Sequence, residues 1–346
     1  MQNPNALTRI AFLDYLRIFA FISVLIGHKF YSNIVIASTD KRLHATARLL
    51  LEFLMHFVYG GGAGVVIFFL ISGYIISQVL SFERPASFLI RRMFRIYPLY
   101  ITAVVIQIVV QKNWGSLSPS ILVPQLLLIG DFFGSPYTLT GVEWTLRIEV
   151  IFYVFMAILR AGGFWGERKH LLIFVLIITT VLISQLPAFP DGPDVFKGYF
   201  LIYGPFLFIG VGFWLYEQNW INISWLLILT SVIFVNYFYL ISCYQPDWLS
   251  AHFAILGFLL FSIAWFFRKI FQSTMAILLL SDLTYSVYLF HNWIFDFFRD
   301  GFMKLFPSVQ SSNYLALVPL FIFCFLLHRI IERPANKLGR TISIKA

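Results

Sequence analysis

Charge is scarce in this chain. Of 346 residues only 12% are Asp, Glu, Lys or Arg, while 60% are hydrophobic, and the mean hydropathy is +0.82. A soluble domain of this length needs far more charge to cover its surface. Cysteine is nearly absent: Cys243 and Cys324 stand alone, without the spacing of a zinc site or a disulfide framework. The alternation of apolar and polar residues that marks a spanning β-strand is missing from the long hydrophobic runs, which excludes a barrel and leaves helices. Acidic residues are few, 16 against 25 Lys and Arg, for a net charge of +9. In a chain this apolar the excess reports cytoplasmic loops, and no nucleic-acid partner is expected. A small-residue cleavage site after the first apolar run is also lacking, so that run is expected to stay in place as a span.

Several runs reach about 18 apolar residues, enough to cross the hydrocarbon layer. The expected fold is all-α, a polytopic helix bundle of about ten spans around an interior polar cavity, in one domain over residues 1–346. The spans are placed at 9–30, 57–82, 93–111, 143–160, 170–187, 198–216, 221–243, 251–267, 274–298 and 313–331. With both termini in the cytoplasm, the inner segments hold about 15 basic residues and the outer ones about 8, as the positive-inside rule requires. The stretch 119–133 is short, carries Pro124, and is read as re-entrant or interfacial.

Polar residues inside apolar runs mark the candidate chemistry. The first run carries Asp14, Arg17 and His28. At about 100° per residue the three fall within one stripe of a helix, with Arg17 and His28 about 16 Å apart along the axis. An ionisable group at the bilayer centre costs at least about 2.5–3.5 kcal/mol, so the stripe is expected to face an interior. The segment Gly60 to Tyr74 places Ser72 and Gly73 near mid-membrane, and its glycines suit either tight helix packing or the approach of a thin ligand. The inner loop 88–100 brings Arg91, Arg92 and Arg95 together. Their guanidinium groups suit a polyphosphate, and suit anionic lipid headgroups equally. Pro98 is placed in a first helical turn.

Glu143 and Arg147, spaced i,i+4, read as a helix pair. Glu149 lies deep enough in its span to need a partner, for which Arg147, Arg17 and His28 are the candidates. Thr284, Tyr288 and His291 share a face of the ninth span. His44, His56, His170, His252 and His328 have no comparable polar setting, and Glu332-Arg333-Pro334 reads as a helix terminus.

Taken together these segments resemble the acyltransferase-3 family of bacterial membrane proteins that O-acylate glycans and other acceptors. The resemblance rests on Arg17 followed by ten residues and His28; on Phe68 to Tyr74, similar to Phe-Phe-x-x-Ser-Gly; and on Arg92 to Pro98, similar to Arg-x-x-Arg-Ile-x-Pro. It rests also on Trp144 to Glu149, similar to Trp-Ser-Leu-x-x-Glu with Thr145 for Ser; on Tyr285 to His291, similar to Tyr-Ser-x-Tyr-Leu-x-His; and on Glu332 to Pro334, similar to Glu-x-Pro. Any one is weak, and six in the family's order are specific. Some relatives carry a C-terminal esterase-like domain; nothing comparable follows here, so direct acylation of the acceptor or a separate acyl-accepting protein is expected.

The resemblance implies an acyl-CoA donor, most often acetyl-CoA, entering from the cytoplasmic side of a bacterial inner membrane, and no metal. Arg91, Arg92 and Arg95 would then hold the CoA phosphates, Tyr97 would stack on adenine, and the pantetheine arm would pass Ser72, Gly73 and Arg17. His28 would act as general base on an acceptor hydroxyl or as a nucleophile carrying the acyl group. Glu149 or Asp14 would orient its imidazole. Arg17, Trp144, Thr145, Tyr288 and His291 would hold the acceptor or a developing oxyanion. The acceptor is expected to be a glycan such as O-antigen or exopolysaccharide, or its lipid-linked precursor, with Phe132, Phe133, Tyr137 and Trp144 available to stack on sugars or to form an interfacial belt. Membrane lipids are the other expected contact, and self-association into a homo-oligomer is allowed. A secondary transporter or flippase using Asp14, Arg17, Glu149 and His291 as an ion path is the rival reading; a non-catalytic interaction subunit is a third, and would tolerate loss of His28.

Overall fold

A computed structural model describes residues 9–111, 118–305 and 312–344, and contains helices and turns with no strand among the described residues. The chain ends, whose cytoplasmic placement was expected, and the segment 112–117 lie outside the described residues. The helices are α1 (Ala11–Lys29), α2 (Tyr31–Thr39), α3 (Ala45–Val58), α4 (Gly62–Leu80), α5 (Pro85–Gln111), α6 (Pro119–Leu126), α7 (Trp144–Ala161), α8 (Leu172–Ser184), α9 (Tyr199–Tyr203), α10 (Phe206–Glu217), α11 (Ile223–Tyr244), α12 (Phe253–Phe266), α13 (Met275–Phe290), α14 (Trp293–Leu305), α15 (Ser312–Leu327) and α16 (Arg333–Ser343), with a π-turn at His328–Glu332.

Among the described residues seven stretches are long and apolar enough to cross a membrane: Ala11–Lys29, Ala45–Leu80, Pro85–Gln111, Tyr199–Glu217, Ile223–Tyr244, Pro246–Phe266 and Asn313–Ser343. Lys169–Ser184 and Met275–Phe290 are shorter apolar helices. The remaining expected span falls on α7, which carries Arg147, Glu149 and Arg160 within its 18 residues. The protein is thus an all-α, polytopic membrane protein. α6 has eight residues, about 12 Å of helix against a hydrocarbon layer of about 30 Å, so it does not cross by itself.

Two compact units make up the chain, one from Met1–Ile71 with Phe253–Thr284 and one from Ser72–His252 with Tyr285–Ala346. In the described part of the first, α1 packs against α3 and α12, with Phe12 edge-on to Phe261 at 6.3 Å. The glycine run that follows α3 serves a bend. Gly60 and Gly61 adopt φ of 54° and 71°, a region that favours glycine, and they separate α3 from α4. The sequence reading began one continuous span at residue 57; the bend at these glycines moves the start of α4 to Gly62.

In the second unit α5 packs against α7 and α16, and α10 and α8 against α11. Its core is made of Leu99, Tyr100, Met156, Phe206, Ile209 and Trp214, all essentially without exposed surface. Three expectations are corrected here. The loop 83–95 is already helical from Pro85, so Arg91, Arg92 and Arg95 ride on α5, and Pro98 lies inside that helix instead of in its first turn. The ninth span is interrupted at His291-Asn292, between α13 and α14. Glu332 is not at a helix end: the chain continues through the π-turn into α16, and Glu332 is buried.

Candidate active site

The expected site residues fall into the two units, Asp14, Arg17 and His28 in the first and the others in the second. In the first unit Asp14 is fully buried on α1 and is saturated with donors. It accepts from Arg9 Nε at 2.8 Å, Arg17 Nη1 at 3.0 Å and Ser281 Oγ at 2.7 Å, and Arg9 also pairs with Asp282 at 2.9 Å. α1 runs unbroken from Ala11 to Lys29, so Asp14 and His28, 14 residues apart, are about 21 Å apart along its axis. Asp14 therefore does not orient the His28 imidazole, which corrects one expected role. His28 itself sits in the last turn of α1 and is exposed.

The second unit brings three of the motif segments onto one polar cluster. Ser72 of α4 donates its hydroxyl hydrogen bond to Glu149 Oε1 of α7. Tyr153, one turn along α7, also faces the Glu149 carboxylate, as do the charges of Arg92 and Arg95 from α5. Arg92 is half-buried, its guanidinium 5.4 Å from the Phe88 ring and 6.0 Å from the Tyr153 ring, a cation–π setting. Its Nε is buried without a hydrogen-bond partner among the described residues. Arg95 is exposed. The partners proposed for Glu149 from sequence included Arg147; within this unit the partners are Ser72, Tyr153 and the α5 arginines instead.

The third arginine is differently employed. Arg91 pairs with Glu83 at 2.7 Å and donates from Nε to Ser343 Oγ at 2.6 Å, while Ser87 donates to the Ser343 carbonyl at 3.0 Å. Arg91 thus clips α16 to α5. Tyr97 donates its hydroxyl to the Leu127 carbonyl at 3.1 Å. Gly73 is a packing glycine: a Cβ there would lie 1.9 Å from the Leu207 carbonyl oxygen of α10, so that backbone, not a ligand, uses the space the side chain leaves.

On the α13 side Thr145 Oγ1 and Tyr288 Oη share a hydrogen bond of 2.6 Å, and Tyr288 also donates to the Val142 carbonyl at 3.0 Å. His291 is buried in the break after α13, its Nδ1 2.7 Å from the Tyr288 carbonyl. Trp144 packs on Tyr199 and Tyr203, ring centroids 5.1 and 5.4 Å away. Expected acceptor contacts Thr145, Tyr288 and His291 are therefore brought together, with Trp144 beginning the same helix.

Sequence reading missed the network that ties the loop before α7 to that helix. Arg147, 1% exposed, pairs with Asp131 at 2.5 Å and reaches Glu143 only at 3.9 Å, so the expected i,i+4 pair is secondary. Tyr199 donates to the other Asp131 oxygen, and Tyr137 donates to Asp131 at 3.0 Å. The Tyr137 ring stacks on Phe196 at 4.1 Å and lies 4.7 Å from the Arg147 guanidinium, which occupies it as a sugar platform. Burial, reinforced by the Asp131 charge, raises the Tyr137 phenol well above the ordinary tyrosine range. Glu143 accepts from the backbone and hydroxyl of Thr138. The signal for Asp131 was a lone acid in the apolar run 119–133. A second missed group is Glu332, which accepts from Ser286 Oγ at 3.0 Å and pairs with His328 Nδ1 at 2.9 Å; His328 therefore has the polar setting that sequence reading denied it.

This arrangement presents exposed and half-buried guanidinium groups beside a carboxylate–hydroxyl pair on interior helices, which suits an anionic ligand reaching into a membrane protein. Comparison with known proteins fits that chemistry. An acyltransferase domain model matches residues 10–333. Nodulation protein 10 of Rhizobium leguminosarum bv. viciae is 25% identical over 181 residues, 45% of this chain and 47% of that protein, so the chain spans about half the length of the curated relative it matches. No solved structure matches. The chain belongs to the acyltransferase-3 family, and its long apolar helices make it an integral membrane protein.

Proposed function

We propose that the protein moves an acyl group, in the first instance acetyl, from acyl-CoA on the cytoplasmic side of a bacterial inner membrane to a hydroxyl of a cell-surface glycan or its lipid-linked precursor. The observation that carries this reading is the Arg92–Arg95–Glu149–Ser72 cluster. Two guanidinium groups close to one carboxylate, one of them with a buried N–H lacking a partner, fit the phosphates of a CoA donor. A buried donor without an acceptor costs about 1–3 kcal/mol, and a phosphate oxygen removes that cost. Arg91 contributes chiefly by holding α16 in place.

In the reaction the acceptor oxygen attacks the thioester carbonyl, the new C–O bond forms as the C–S bond breaks, and CoA leaves as its thiol. The proton lost by the hydroxyl passes to His28 as general base and from there to the leaving sulfur. Thr145, Tyr288 and His291, grouped on α7 and at the end of α13, form the polar surface that orients the acceptor hydroxyl. Membranes from cells expressing the protein, given acetyl-CoA labelled in the acetyl group, test the reading. Label appearing as alkali-labile ester on extracted glycan supports it. Substrate movement across vesicles without label transfer would overturn it in favour of transport.

A further inference from the structure

At the far end of α5 from the arginines lies a cavity of about 100 Å³, lined by Gln107, Ile108, Gln111, Gln125, Tyr137 and Thr138 with Pro136. Gln107 is 12 residues from Arg95 on the same helix, about 18 Å along its axis, so the cavity is separate from the donor cluster. Three glutamines meet here, two of them on an α5 segment that otherwise reads Ile-Thr-Ala-Val-Val-Ile-Gln-Ile-Val-Val-Gln. Two amides are already partly used: Gln107 Oε1 accepts from Leu139 N at 2.7 Å and Gln125 Nε2 donates to the Pro136 carbonyl at 2.6 Å. These bonds fix the orientation of both side chains. Gln125 Oε1 is left buried, with no donor among the described residues, and Gln125 as a whole is only 1% exposed.

Among the described residues the lining is hydrogen-bonding but carries no formal charge, since no Asp, Glu, Lys or Arg of that set borders the cavity. A charged ligand group would be desolvated there without compensation. A neutral hydroxyl would find amide acceptors and donors. The volume is far below the roughly 300–1,000 Å³ of sites that enclose drug-sized ligands, so it takes one sugar edge or a hydroxymethyl arm, not an oligosaccharide. We propose that this glutamine-lined cavity is a subsite for an uncharged, hydroxyl-rich unit of the acceptor, one that excludes uronic acid and phosphorylated sugars. The assignment as an acceptor subsite rests on the acyl-transfer reading; the binding itself does not.

The test uses the full-length protein in lipid nanodiscs and saturation-transfer NMR with methyl α-D-glucopyranoside and, in parallel, its uronic acid counterpart. Wild type is expected to give a saturable signal with the neutral glycoside and none with the acid. Gln125→Met, which removes the unpartnered acceptor, and Ile108→Phe, which fills the space, are expected to weaken binding about tenfold, the scale of a lost hydrogen bond. Gln111→Ala, at the rim and exposed, serves as the variant least able to disturb folding, and is expected to weaken it by less. Absent binding, equal binding of the charged glycoside, or unchanged binding in all three variants would overturn the proposal. Neutral glycoside binding in a protein that transfers no acetyl would leave the cavity assignment standing as a sugar site and overturn the donor reading instead.

Discussion

Ser72 on α4 and Glu149 on α7, 77 positions apart in the chain, share a hydrogen bond in which the serine hydroxyl donates to the carboxylate. Glu149 is also within reach of the Arg92 and Arg95 charges. Ser72→Ala removes one donor from a half-buried carboxylate, a loss of about 1–3 kcal/mol. Transfer from acyl-CoA in matched membranes is expected to fall, and Glu149→Gln, which removes the charge while keeping the shape, is expected to lower it further. Wild-type rates in both variants would show the pair to be incidental to catalysis.

The Asp131–Arg147 pair is almost fully buried on both sides. Removing one partner of such a pair leaves an uncompensated charge and costs about 3–5 kcal/mol. Asp131→Ala and Arg147→Ala are each expected to lower the melting temperature of purified protein sharply, and the double variant to recover part of the loss. Strict additivity in this cycle would contradict a direct coupling.

Asp14 accepts three hydrogen bonds from Arg9, Arg17 and Ser281. Asp14→Ala removes a shared carboxylate partner from two guanidinium groups, each partly exposed, so the penalty is softened by solvent. Reduced abundance in membranes is expected, with the specific activity of the surviving protein less affected than its amount. Normal abundance together with abolished transfer would instead place Asp14 in the chemistry.

Gly73→Ala puts a Cβ 1.9 Å from the Leu207 carbonyl oxygen, a backbone atom that cannot swing away. Helices α4 and α10 must move apart, at a cost of about 1–3 kcal/mol for overpacking. Lower thermal stability is expected. An unchanged melting temperature combined with loss of acyl-CoA binding would restore Gly73 as a donor contact.

Much of the fold was legible because apolar runs of spanning length leave few alternatives. Boundaries were lost where local chemistry intervened: at Gly60 and Gly61, whose positive φ bends the chain, and at Pro85, where the basic segment proved helical. Ser72 and Glu149 stood out as polar residues in apolar runs, and Arg92 and Arg95 by their i,i+3 spacing in a basic segment. The members of this cluster were thus visible in the sequence, while their roles are proposals. Asp131 was not, because its partners Arg147 and Tyr199 lie 16 and 68 residues away, and sequence spacing carries no sign of such pairing. The same holds for Glu332, read as a helix end from its neighbour Pro334, though the π-turn carries the helix through it.

The most direct test of the account compares acetyl transfer from labelled acetyl-CoA to extracted glycan by wild type, His28→Ala and Arg95→Ala, at matched protein abundance. The account predicts transfer by wild type. It predicts a loss of about 10²–10⁴-fold in His28→Ala, the range for a general base. Arg95→Ala is expected to show a raised KM for acetyl-CoA. Full transfer by His28→Ala would contradict the assigned proton acceptor, and no transfer by wild type would contradict acetyl-CoA as the donor.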